Sequence, residues 1–218
     1  MFFDWDFALE ILPDMLEGLV TTVQASIVAF VLAAVIGLLM ALARRSESVW
    51  LSEPVGALVE FIRSTPLLVQ LFFFFYVLPQ YGLRLPAFIV GVTVLGLHYG
   101  TYTSEVYRAG IDAIGRGQWE AAKSLNFNAQ HTWTRIILPQ ALPPMVPALG
   151  NYLIGIFKET AQLAAITVVE MLLTARTIGT RSFRFLEPIT LAGLLFFALS
   201  YPSSLIVQRL EARYAKRN

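Results

Sequence analysis

The sequence predicts an all-α integral membrane protein: five transmembrane helices, with a short cytoplasmic helix between the third and the fourth. Three observations predict it. Of the 218 residues, 56% are hydrophobic and 14% charged, against about 45–50% and about 25% in a soluble domain. The charges are gathered so that five long uncharged stretches remain, and about 20 apolar helical residues cross the roughly 30 Å of a bilayer core. Unpaired amides are costly in hydrocarbon, and the short alternating strands of a barrel are absent, so the stretches are helical. The net charge of +1 offers no field for nucleic acid, and the absence of Cys excludes a disulfide framework, a thiolate nucleophile and a Cys-ligated metal.

The first uncharged stretch, Gly18 to Ala43, has 26 residues and forms the span 18–43. Ala41-Leu42-Ala43 superficially offers a signal-peptide cleavage pattern, but the preceding segment carries Asp4, Asp6, Glu10, Asp14 and Glu17 and no base, whereas a signal peptide begins basic. That acidic flank, followed after the span by Arg44-Arg45, places the N-terminus outside and the first loop in the cytoplasm. The second span, 64–83, is preceded by Pro54 to Arg63, expected as an interfacial turn, and the chain crosses after Pro66. The third span is 85–104. Ile136 to Phe157 supplies the fourth, set at 144–160, where Pro139, Pro143, Pro144 and Pro147 predict a bent or extended lead with regular helix from near Pro147. The fifth is 188–208, and it leaves Arg209, Arg213, Lys216 and Arg217 on the cytoplasmic side. The connection from Thr160 to Glu187 should lie outside although it carries Arg176, Arg181 and Arg184. Its length predicts a folded helix and loop.

The cytoplasmic loop, 108–139, is the most informative segment. Gly115-Arg116-Gly117 breaks the chain, and Gln118 to Leu125 reads as one short helix. Asn126 suits the left-handed conformation that closes a helix, and Asn128 suits the cap of the next. Trp119, Ala122 and Leu125 fall at helical spacing. An amphipathic helix on the lipid surface would share that pattern; the functional reading is a knob offered to a soluble partner.

These residues carry a resemblance. Glu120-Ala121-Ala122, then Asn126, then Ile136-x-Leu138-Pro139 resemble the coupling motif of binding-protein-dependent ABC importer permeases of type I, with Asn126 where Gly is usual. Asn is the other residue tolerant of positive φ, so the turn chemistry is kept. Further matches are Arg63-Ser64-Thr65-Pro66-Leu67-Leu68-Val69-Gln70, Glu105-Val106-Tyr107-Arg108-Ala109-Gly110-Ile111 and Lys158-Glu159-Thr160. Together they resemble the polar amino acid uptake branch from the first span to the last. The runs Tyr76-Val77-Leu78-Pro79, Leu97-His98-Tyr99 and Ala165 to Met171 are most similar to permeases for ectoine and hydroxyectoine.

The resemblance implies a single permease domain over 1–218 in a bacterial inner membrane. It implies two ABC ATPase subunits that bind ATP and Mg, a second permease subunit, identical or not, and an extracytoplasmic solute-binding protein. The chain has no G-x-x-x-x-G-K-[ST] run, so no ATPase site or cofactor of its own is expected. Coupling would fall to Trp119, Glu120, Ala121, Ala122, Leu125 and Asn126, with Glu120 paired to a base of the ATPase.

Polar side chains at membrane depth are rare without function, which selects Gln70, His98, Tyr102, Asn151, Lys158 and Glu159 for the substrate pathway. Gln70 and Asn151 could equally serve interhelical hydrogen bonds, and Lys158 with Glu159 could be a surface pair. Arg63 is expected to snorkel to the cytoplasmic interface. No catalytic constellation is found, and His98 and His131 lie in different segments without a metal pattern. An ion-coupled secondary carrier is the alternative; an odd set of five spans shows no obvious inverted duplication.

Overall fold

The computed structural model describes the backbone of residues 3–215 and the side chains of residues 3–213, and it is helical almost throughout. Lys216 and Arg217 of the expected basic C-terminal flank lie outside the described residues. The helices are α1 (Trp5–Arg44), α2 (Val49–Ser64), α3 (Leu67–Phe72), α4 (Ala87–Asp112), α5 (Arg116–Ser124), α6 (Ala129–His131), α7 (Leu138–Glu159), α8 (Met171–Ser182) and α9 (Leu186–Ala215).

Helix α1 begins thirteen residues before the predicted span start at Gly18. Asp4 starts it, its carboxylate accepting the amides of Asp6 and Phe7 at 3.1 Å. Asp6, Glu10, Asp14 and Glu17 are exposed, while Ala8, Ile11, Met15 and Gly18 are buried on the opposite face. The acids therefore continue one amphipathic helix and do not mark its end.

The buried stripe runs on through Thr22, Ala25, Ser26, Ala29, Ala33 and Gly37 at helical spacing. Small residues let backbones approach closely, the main source of helix association where lipid tails remove any hydrophobic drive between helices. Helix α4 packs parallel to this stripe: Leu32 and Ala29 meet Gly96, and Gly37 meets Gly100 and Ser104. Thr103 donates to the Ala33 carbonyl at 2.8 Å. At the far end Arg44 pairs with Glu105 and Arg45 with Asp112.

The second predicted span is broken. Pro66 lacks a donor and disfavours helix in the residue before it, and Thr65 is extended, with φ −104° and ψ 138°. Helix α2 meets the segment Leu67–Tyr81 at 103°. After α3 the chain takes a π-turn over Phe73–Val77 and a 3₁₀ turn over Leu78–Tyr81, which Gly82 ends at φ 89°, a conformation open to glycine.

Among the described residues, α1 and α9 are each long and apolar enough to cross a bilayer alone, and two bent pairs reach that standard only together. Helix α4, at 26 residues or about 39 Å, has the length for a crossing, but His98, Tyr99, Thr101, Tyr102 and Thr103 make its middle polar. It extends to Asp112, beyond the predicted end at 104.

The expected bent lead into the fourth span is instead helix. Helix α7 starts at Leu138, with Pro139 in its first turn, and Pro143, Pro144 and Pro147 lie inside it. Pro139 lies where the π-turn Thr132–Ile137 runs without a break into α7. The π-turn at Thr132–Ile137 loosens the ladder just before the prolines, and a membrane helix tolerates them where neighbours and local π adjustments satisfy the freed carbonyls. After α7 a 3₁₀ segment, Thr160–Ile166, ends at Thr167 with φ 66°. Buried Glu170 then caps α8, accepting from Leu172 at 2.9 Å and Leu173 at 2.7 Å. The predicted folded connection is thus α8 and its flanks. Arg184, just after it, binds Asp4 at 3.1 Å and lies over the Phe7 ring.

One cluster of buried residues joins α1, α3, α4, α7 and the 3₁₀ segment, with Leu71, Leu95 and Leu163 at its centre. A second joins α1, α8 and α9 through Met15, Met171 and Ala192. A third, Ile111, Ala141 and Met145, carries Trp119 and Trp133 at the α5 end.

Candidate functional site

A cavity of about 670 Å³ opens where the α2–α3 turn, α4 and α7 meet. Its α4 wall is His98, Tyr99 and Tyr102, and its α7 wall is Tyr152, Gly155 and Glu159, continued by Gln162. The bend at Pro66 supplies the third wall, from Arg63 to Leu67. Each helix contributes one stripe: 152, 155, 159 and 162 follow helical spacing, as do 98 and 102.

The lining is aromatic with a charge at either pole. His98 lies 5.4 Å from Tyr102, and Tyr152 lies 6.1 Å from Tyr99 and 5.8 Å from Tyr102, ring centre to ring centre. Gly155 makes room, since a Cβ there would sit 2.9 Å from the Tyr99 hydroxyl. Gln162 donates to the Glu159 carboxylate. At the other pole the Arg63 guanidinium lies 5.1 Å from the centre of the Tyr102 ring, within cation–π reach.

Of the predicted pathway residues, the cavity brings together His98, Tyr102 and Glu159. Gln70 stands behind them: its amide donates to the Ile62 carbonyl at 2.8 Å and to Thr65, and its oxygen lies 3.3 Å from His98 Nδ1. It fixes the α2–α3 bend to the His98 ring. Asn151 is exposed and lies outside the cavity lining. Lys158 faces a different groove, with Ile189, Gly193 and Phe196, because one residue along a helix turns the side chain by about 100°. The sequence reading missed Arg63, Tyr99, Tyr152 and Gln162. The stripe through Glu159 could have found Tyr152 and Gln162; Arg63 arrives only through the fold at Pro66.

The loop helix α5 has two faces. Trp119 packs edge-on against Trp133 at 5.3 Å, and Ala122 is buried, its carbonyl accepting from Phe127 at 3.1 Å. These two residues hold α5 to its own chain. Glu120, Ala121 and Leu125 point outward, Leu125 at 65% exposure. Of Trp119, Ala122 and Leu125, which share helical spacing, the first two pack against the chain and Leu125 is exposed. Asn126 has φ 53°, and Asn128 caps the next turn by accepting from His131 at 2.8 Å.

The family described as binding-protein-dependent transport system inner membrane component matches residues 33–216. A probable amino-acid ABC transporter permease protein of Sinorhizobium fredii is 45% identical, over 99% of this chain and 96% of its own. The glutamate/aspartate import permease of Escherichia coli O6:H1 is 33% identical over 98% and 99%. The L-cystine transport system permease of Bacillus subtilis is 34% identical over 97% and 93%. Among solved structures, an amino acid ABC transporter crystallised with histidines superposes with a TM-score of 0.91 at 32% identity, covering 98% of this chain and all of that one. An inward-facing methionine ABC transporter shares the fold at 18% identity, with a TM-score of 0.64 over 95% and 99%.

Proposed function

The chain belongs to the family of binding-protein-dependent transport system inner membrane components, and from that premise we propose that it is the permease subunit of an ABC importer for a polar amino acid or a related zwitterion. The observation that carries the reading is the cavity between the α2–α3 bend, α4 and α7. A small zwitterion needs an acid and a base at opposite poles of a mostly apolar surface, and Glu159 and Arg63 stand so, with tyrosines between. The relatives act on amino acids; ectoine, a cyclic zwitterion, belongs to the same chemical class and is one substrate to test.

Energy comes from two partner ATPases that bind ATP and Mg. In this reading the outward face of α5, with Glu120, Ala121, Leu125 and Asn126, seats in a groove of an ATPase, and Trp119 with Ala122 passes its movement through Trp133 to α7. A second permease subunit completes the route across the bilayer, and an extracytoplasmic binding protein delivers the solute. The acidic start of α1 lies outside and the basic end of α9 in the cytoplasm, consistent with the bias of Arg and Lys.

The test is reconstitution. Permease, ATPase and binding protein together in proteoliposomes should accumulate at least one of L-glutamine, L-glutamate, L-histidine, L-cystine or ectoine when ATP is present. Concentrative uptake by the permease alone would refute the proposal.

A further inference from the structure

We propose that Arg63 is the specificity-determining residue that takes the carboxylate of the transported solute, and that Glu105 holds it while the pocket is empty. The inference rests on the reading of this cavity as the solute site.

Among the described residues Glu105 is the only carboxylate near three arginines, and its two oxygens are already engaged. Arg44 hydrogen-bonds Oε1, and Arg108 donates to Oε2 at 3.3 Å. Arg63 comes third: its Nη1 lies 3.7 Å from the same Oε1 that Arg44 holds, beyond hydrogen-bond distance. Among the described residues the Arg63 guanidinium makes no side-chain hydrogen bond, so its planar fork of five donors is unfilled where it lines the cavity. Such a fork matches a carboxylate in bidentate geometry, which an ammonium cannot do. Three guanidinium groups against one carboxylate also leave this pole net positive, drawing an anion and repelling a cation.

The solute therefore lies with its carboxylate at the α2–α3 bend and its cationic group at Glu159. Binding draws Arg63 from a loose ion pair with Glu105 into a hydrogen-bonded pair with the solute, while Arg44 and Arg108 keep Glu105. Because Arg63 ends α2 and Gln70 ties the same bend to His98, the change is read by three walls of the cavity at once.

The experiment uses the permease–ATPase complex in lipid nanodiscs without the binding protein, so that delivery does not set specificity. L-Glutamine, L-glutamate, L-histidine and ectoine are each titrated beside the amide of the same carboxyl group. Charge-assisted hydrogen bonds of ordinary strength correspond to about a ten- to hundred-fold preference for acid over amide. Arg63→Gln should abolish that preference, Arg63→Lys should keep part of it, and Glu105→Gln should tighten acid binding. A preference undiminished in Arg63→Gln, or none in the unsubstituted complex, would overturn the proposal. Failure of ATP-driven uptake would overturn the functional reading, and the acid–amide comparison reports on Arg63 separately from it.

Discussion

Gly37→Ala adds one methyl group at the closest approach of α1 and α4. A Cβ there would lie 2.7 Å from the Gly100 carbonyl oxygen and 3.0 Å from the Ser104 amide. Restoring an ordinary contact of 3.4 Å to the oxygen parts the helices by about 0.7 Å. The Thr103 hydroxyl lies closer still and would have to turn away from the Ala33 carbonyl that it now binds. Overpacking costs roughly 1–3 kcal/mol, the lost buried hydrogen bond about 1 kcal/mol, and the helix propensity of Ala returns about 0.5–1 kcal/mol. The net destabilisation is about 1–3 kcal/mol, or roughly 2–12 °C in thermal midpoint for a chain of this size. Gly193→Ala is the matched control: the same methyl on α9 meets nothing within 4 Å and should leave the midpoint level or raise it slightly. Thermal unfolding of both variants in detergent, followed by tryptophan fluorescence, reads the difference. Equal midpoints for the two would refute the argument that α1 and α4 associate through backbone proximity.

Asn126→Gly should transport normally, whereas Asn126→Pro, which cannot adopt φ 53° and loses the amide bond to the Lys123 carbonyl, should hydrolyse ATP without uptake. Glu159→Gln should weaken solute binding at least ten-fold with the complex still assembled; unchanged affinity in a titration would remove Glu159 from the site. Hydrogen bonding from the Phe7 amide, aided by Arg184, holds the Asp4 carboxyl below its ordinary value of 3.8. A depressed carboxyl stabilises the folded chain above that value and ceases to as pH falls through the lower folded one. Asp4→Asn should thus unfold at lower temperature near neutral pH, and the gap should close on acidification below 3.8. A tag after residue 218 should be shielded from protease added outside intact cells; its cleavage would invert the orientation.

The sequence made the helical character of the chain and its loop turns legible because both are local. Asn126 and Asn128 carry their conformations in their own side chains, and Pro66 marks a break whatever surrounds it. Charge was a poorer guide to helix ends. The acids before Gly18 looked like a boundary because only the uncharged run was counted; the 3–4 spacing of Ala8, Ile11, Met15 and Gly18 carries α1 back to Trp5. The prolines of α7 misled for a similar reason, since proline marks a lost amide but not whether neighbours compensate.

At the site, rarity at membrane depth selected His98, Tyr102 and Glu159, yet rarity has no direction. It selected Lys158 equally, and a single step of helix rotation sends that side chain to a different groove. Arg63 was assigned to the interface because arginines beside spans usually sit there. Its place in the cavity depends on a 103° bend and on Glu105, more than forty residues away in sequence.

The bare stripe of α1 also bears on biogenesis. Ribosomes deliver this rod to the translocon before any of its neighbours exist, so it must wait in the bilayer with alanines, glycines and hydroxyls facing lipid. A stripe of small residues lets a helix backbone come close, so the fit rests on the groove of α4 that matches it, where Gly96 and Gly100 meet α1. Helix α4, made after α1, thus meets a surface that is already in place.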